Sequence, residues 1–164
     1  MKRTTLSLLL AGLALLSLTA CFPPGRGAQT FKGTTPDRVL SIELWTNHEV
    51  YEFSEPVNVR AKLTNISSEV VHLRSKSGSD PVMDIIIETS TSAEPMEELT
   101  WSQAHPDDVL YILELAPGKS YELQWSQVLS QRRSYRVKVL WVDHANYLRD
   151  SWLPISYGQS LPNP

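Results

Sequence analysis

The chain has 164 residues, 41% of them hydrophobic, with 15 Lys and Arg against 18 Asp and Glu and a net charge of −3. That length suits one domain, and the mild acidity argues against phosphate-backbone binding, which needs a basic face, so no nucleic-acid partner is expected. One cysteine, Cys21, excludes an intramolecular disulfide and any Cys-x-x-Cys site.

The first twenty residues form a separate object. Lys2 and Arg3 precede an uncharged apolar run, Leu6 to Leu18. At 13 residues it falls short of the roughly 20 a membrane-crossing helix needs, and it reads as a secretory signal peptide. Leu18-Thr19-Ala20-Cys21 resembles the lipobox of bacterial lipoproteins, in which the cysteine thiol takes a diacylglyceryl group and becomes the mature N-terminus. Cleavage before Cys21 removes two positive charges and leaves 13 Lys and Arg against 18 Asp and Glu, a net charge of −5. A polybasic grip on anionic lipid is then absent, and the acyl chains are the whole membrane contact. Phe22 rather than Asp after the cysteine points to the outer membrane if the cell has one.

Residues 22–37 contain Pro23, Pro24, Gly25, Gly27, Gly33 and Pro36 and have no apolar period. With Cys21 they read as a lipidated tether over 21–37, reaching at most about 50 Å. The domain is expected over 38–155, with a C-terminal tail over 156–164. Within it, period-two alternation marks half-buried strands. Leu40, Ile42 and Leu44 alternate with Ser41 and Glu43. Val57, Val59, Ala61 and Leu63 alternate with Asn58, Arg60 and Lys62. Tyr121, Leu123 and Trp125 alternate with Glu122 and Gln124. Tyr135, Val137, Val139 and Trp141 alternate with Arg136 and Lys138. Val70–Leu73, Met83–Ile87 and Val109–Leu115 are less regular apolar runs. Turn chemistry separates them, at 54–56, 64–67, 77–81 and 116–119. The pattern predicts an all-β fold, an immunoglobulin-like antiparallel β-sandwich of about seven to eight strands, with a small barrel as the alternative. Trp45, Trp125 and Trp141 are expected in the core.

Residues 90–108 break the rhythm and read as the longest loop, the place where a rigid scaffold presents recognition residues. His105-Pro106-Asp107-Asp108 is the one cluster of an imidazole with two carboxylates. It has no metal-ligand spacing and reads as a solvated loop; no H-E-x-x-H or G-x-S-x-G is present. No catalytic centre, metal or other cofactor is expected. Asn65-Ile66-Ser67 matches a glycosylation sequon but reads as a turn.

From about Val50 to Val142 several points stand in a familiar order. They are the Val57-to-Leu63 strand leading into Asn65, then Val71 and Leu73, Ser77-Gly78-Ser79, Met83-Asp84-Ile85-Ile86-Ile87, Trp101-Ser102, Ala116-Pro117-Gly118-Lys119-Ser120, Trp125, and a last strand from Tyr135 to Val139. In this the chain resembles the BsuPI family, named for an intracellular proteinase inhibitor of Bacillus. It departs where that family has Pro-Gly-x-Tyr before the last strand; here Gln131-Arg132-Arg133-Ser134-Tyr135 stands. The resemblance implies the immunoglobulin-like fold and, as a function, inhibition of a proteinase. The expected function is thus a lipid-anchored extracytoplasmic module that binds a protein, a protease in the specific form. A structural or accessory subunit of an envelope or transport complex is the alternative. The residues singled out for binding are Asp84, Trp101, Ser102, His105, Asp107 and Asp108, on a contact segment from Glu94 to Asp108. Trp101 is a candidate aromatic anchor, and it is also readable, with Asp84, as framework.

Overall fold

The computed structural model describes residues 27–75, 78, 80–90, 97–143, 145 and 147–158. Cys21 and the leader lie outside the described residues, as do Glu94 and the rest of 91–96. Eleven strands are described. β1 (Gln29–Thr34), β2 (Leu40–Thr46), β4 (Val57–Asn65) and β9 (Ser120–Gln127) form one antiparallel sheet in that order, sheet A. β3 (Val50–Tyr51), β11 (Leu148–Tyr157), β10 (Arg133–Val142), β6 (Met83–Thr89) and β7 (Glu98–Thr100) form sheet B in that order. β5 (Val71–Arg74) and β8 (Ile112–Leu115) make a separate two-stranded ribbon. The chain passes repeatedly between the two sheets, and the short β3 runs parallel to the last strand while every other pairing is antiparallel. The fold is an immunoglobulin-like β-sandwich.

Alternation sets the core. Leu40, Ile42 and Leu44 on β2, then Val57, Val59, Ala61 and Leu63 on β4, point inward, as do Leu123 and Trp125 on β9. Tyr135, Val137, Val139 and Trp141 on β10 meet them from sheet B. β6 is buried along its whole length: Met83, Ile85 and Ile87 face the core, while on the other face Asp84 is covered by Ser102 and Glu88 pairs with Arg136 and Lys138. Cover on both faces goes with the continuous stretch Ile85-Ile86-Ile87. Tyr51, Tyr135 and Tyr157 are fully buried and pack ring against ring at one end of the core. Tyr135 opens β10, and its hydroxyl lies 2.7 Å from Glu97 Oε2 and 3.2 Å from the Gln131 carbonyl oxygen. A tyrosine reaching back to the preceding corner is an immunoglobulin-fold device.

The structure corrects four expectations. β1 lies inside the stretch read as tether: it pairs with β2 from Gln29↔Thr46 to Thr34↔Ser41 and packs Phe31 against the core. The ordered chain also runs past 155, because β11 continues to Tyr157, whose side chain is fully buried. Trp45 is not a core residue. The alternation that buries Leu44 and Thr46 turns it to the outer face of sheet A, where it is half-buried. Finally, the described part of 90–108 is not an irregular loop. It holds β7, a four-residue helix α1 (Trp101–Ala104) and a 3₁₀ turn (Pro106–Asp108).

Candidate functional site

The six residues singled out in the sequence fall into two groups. Asp84, Trp101, Ser102 and His105 come together. Asp84 sits on β6, buried, and accepts hydrogen bonds from the backbone N–H of Ile85 (2.9 Å) and Ser102 (3.0 Å) and from the Ser102 hydroxyl. Burial pushes its carboxyl above the usual carboxylate range, and the hydrogen bonds from Ser102 and Ile85 pull the other way. Thr100 caps α1, accepting from the Gln103 N–H at 3.2 Å. Trp101 is 6% exposed, and its indole N–H donates to the Gln124 carbonyl of β9, 3.2 Å away. His105 stacks on the Trp101 ring at 4.9 Å, with Nδ1 3.0 Å from the Trp101 carbonyl oxygen. Asp107 and Asp108 lie apart from this group, exposed on the 3₁₀ turn.

These contacts give the cluster a plain mechanical role. Sheet A ends at β9, and β6 lies next to the end of sheet B. Trp101 spans from one to the other, and Asp84 fastens the helix that carries it. The 97–108 segment is therefore a side wall closing the sandwich. Its tryptophan faces the interior. Among the described residues no three His, Cys, Asp or Glu side chains converge to hold a metal. Asp143, just after β10, serves the structure. It is buried, accepts from the N–H of Ala145 (3.0 Å) and Tyr147 (2.9 Å), and pairs with Arg149 Nε at 2.8 Å. Asn65 of the sequon is fully buried at the end of β4, where its side chain holds the turn that follows.

The surface offers a site that sequence reasoning missed. Ten large apolar side chains are exposed among the described residues. Seven of them gather at one end of the sandwich: Ile66, Val70, Leu110, Tyr111, Ile112, Tyr147 and Leu148. Backbone pairing fixes that placement. Leu148 pairs with Val142, the Val142 N–H donates to the Val82 carbonyl (2.9 Å), and the Val82 N–H donates to the Leu110 carbonyl (2.7 Å). These four positions form one continuous rim across sheet B. The ribbon of β5 and β8 carries the rim toward sheet A, where Asn65 Nδ2 donates to the Leu115 carbonyl at 2.8 Å. Gln29, where the chain enters from Cys21, pairs with Thr46 at the opposite end of sheet A. Tyr111, Ile112, Tyr147 and Leu148 are 44%, 65%, 60% and 58% exposed. Scattered apolar residues need no explanation, but a set gathered at one end does. In the sequence they are apolar residues in or beside strands and carry no sign that they face outward.

No protein-family model matches the chain, and no curated protein sequence does. Solved structures do match. The Bacillus subtilis sporulation control protein Spo0M is similar over 74% of this chain and 50% of its own, at 9% identity and a TM-score of 0.47. The CARDB domain of a Pyrococcus furiosus protein, solved in complex with di-metal ions, is similar over 72% of this chain and 91% of its own, at 12% identity and a TM-score of 0.42. A Listeria innocua β-glucosidase with glucose is similar over 74% of this chain and 16% of its own, at 12% identity and a TM-score of 0.43. The chain spans half of Spo0M and a small part of the glucosidase, and nothing of their activities carries over.

Proposed function

We propose that the protein is a lipid-anchored extracytoplasmic binding module that holds a protein partner on the apolar rim turned away from its anchor. The observation that carries this reading is the segregation of the exposed apolar side chains. They collect at the end opposite Gln29, where the chain arrives from Cys21. A lipid on Cys21 keeps that end toward the bilayer and leaves the rim facing outward. Tyr111 and Tyr147 supply large, low-entropy contact area of the kind that dominates protein interfaces. The 97–108 segment supports the rim as structure instead of making the contact itself. Binding, with no chemical step, is the activity. Inhibition of a proteinase is the specific form that the BsuPI resemblance suggests, and an accessory role in an envelope complex is the other.

The test uses the full chain, solubilised gently from membranes and cross-linked to its partner. Ile112→Asp and Leu148→Asp are expected to abolish capture of a partner that wild type and Ser102→Ala both retain. Capture that survives both rim substitutions overturns the placement. Cys21→Ser is expected to leave the protein out of the membrane fraction, and continued membrane partitioning with an acyl mass rules out the anchor. Turnover of a panel of secreted serine proteases, measured with and without the protein, decides the inhibitor form.

A further inference from the structure

The outer face of sheet A carries an arrangement that neither the core nor the apolar rim uses. Trp45 of β2, Arg60 of β4 and Gln124 of β9 lie directly opposite one another across three strands. Asn58 and Ser126 pair in the adjacent row. Together they line an open groove of 660 Å³ on a face whose other residues are polar. Three cations (Lys32, Arg60 and Lys62) share that face with two carboxylates (Glu43 and Glu122), which makes it net positive on a chain of net charge −3.

The charges near the groove are unevenly used. Glu43 is paired with Lys32 at 2.5 Å, and the Lys32 ammonium holds its carboxyl below the usual range. Glu122 accepts from the Gln124 amide at 2.7 Å. Asn58 is tied to Asn47 through its backbone N–H, but among the described residues no hydrogen bond or ion pair engages the Arg60 guanidinium, the Asn58 side-chain amide or the Ser126 hydroxyl. Arg60 does not stack on Trp45 either, since the one cation–π contact among these residues is Arg132 over Phe53. A half-buried indole, an unpaired guanidinium and two unpaired polar side chains therefore border the same open space.

We infer that this groove binds a saccharide bearing a carboxylate. A half-buried indole bordering the groove offers an aromatic face to the C–H face of a pyranose ring. Arg60 offers the planar fork that matches a carboxylate. Asn58, Gln124 and Ser126 offer the mixed donors and acceptors that hydroxyls need. Trp45 and Gln124 are two strand spacings apart, about 10 Å, room for two sugar rings.

Isothermal titration of the full chain in detergent with trigalacturonate, and with maltotriose as its neutral counterpart, tests the inference. Saturable binding of trigalacturonate at about millimolar or tighter affinity is expected, stronger than that of maltotriose by about fivefold or more. Trp45→Tyr keeps an aromatic face and is expected to retain binding. Trp45→Leu keeps only apolar bulk and should weaken binding about tenfold or more. Arg60→Gln should bring trigalacturonate down to the level of maltotriose. Circular dichroism confirms that each variant is folded; because Trp45 lies outside the core, all three should be. No saturable heat with either sugar up to about 10 mM overturns the site. So does unchanged binding by Trp45→Leu, and equal binding of the two sugars by wild type overturns the acidic preference.

Discussion

Asn65 uses all four of its hydrogen-bonding positions inside the protein. Its amide N–H groups donate to the carbonyls of Glu69 (2.7 Å) and Leu115 (2.8 Å), and its side-chain oxygen accepts from the Ser67 N–H (2.9 Å) and hydroxyl (2.8 Å). It knots the exit of β4 to β8, so an apparent sequon is a structural residue with no amide to spare for a glycan. Asn65→Asp would face a carboxylate oxygen toward two buried carbonyls. A loss of about 3–5 kcal/mol in urea-unfolding free energy is expected, against about 2–3 kcal/mol for Asn65→Ala. A cost below about 1 kcal/mol for Asn65→Asp would contradict the knot. Asp84 makes the complementary prediction in pH. Its carboxyl is pushed upward in the fold, so the native state holds the proton more tightly than the unfolded chain. Its ionisation therefore removes stability as pH climbs from about 4, and the loss is complete once pH passes the raised native value. Asp84→Asn keeps an oxygen for the two backbone N–H groups and does not titrate. The unfolding free energy of wild type minus that of the variant should fall between pH 4 and pH 7, and a rise would refute the assignment.

At the scale of elements, the side wall and the edge strand make separate predictions. If α1 closes the gap between β9 and β6, Trp101→Ala leaves a cavity between the sheets and should cost about 3–5 kcal/mol in chemical denaturation. A fully stable Trp101→Ala protein would return Trp101 to the role of exposed anchor. If β1 is a strand, the Lys32–Gly33 bond should resist trypsin until the domain unfolds, although the Lys32 side chain is 72% exposed. Early cleavage there, followed by mass spectrometry, would restore the tether reading. β2, β4, β9 and β10 were legible because each buries one face and so alternates strictly. β6 was legible as a run because both its faces are covered. β1 was hidden by Gly33 and by a face that is only half-buried. β11 was hidden because half of it is exposed and Pro154 interrupts it. The proline is tolerated since β3 pairs only with Ser156 and Tyr157, leaving the outer edge of β11 free at Pro154. Of the six candidate residues, Asp84, Trp101, Ser102 and His105 come together in the fold, while Asp107 and Asp108 stand apart on the 3₁₀ turn. Their role was not legible, because a buried tryptophan that bridges two sheets and an exposed one that anchors a partner look alike in a sequence. The rim could not be read either: its residues are drawn together from three separate stretches of chain, 66–70, 110–112 and 147–148.

For the whole molecule, the pairing of β1 changes how far the domain stands from a bilayer. Seven residues, 22–28, separate Cys21 from Gln29, and fully extended they reach about 24 Å. β4 has nine residues, which span about 30 Å from one end of the sandwich to the other. With the lipid on Cys21, the apolar rim is thus held no more than about 55 Å above the membrane surface. Releasing β1 would free the chain to Arg38 and Val39 and add about 30 Å. Neutron reflectometry of the full chain on a supported bilayer separates the two arrangements. A protein layer of about 55 Å or less is expected, and Cys21→Ser should leave no layer. A wild-type layer near 80 Å would mean that β1 leaves the sheet at the membrane. The rim would then be presented on a long leash, and its orientation away from the bilayer, on which the binding proposal depends, would be lost.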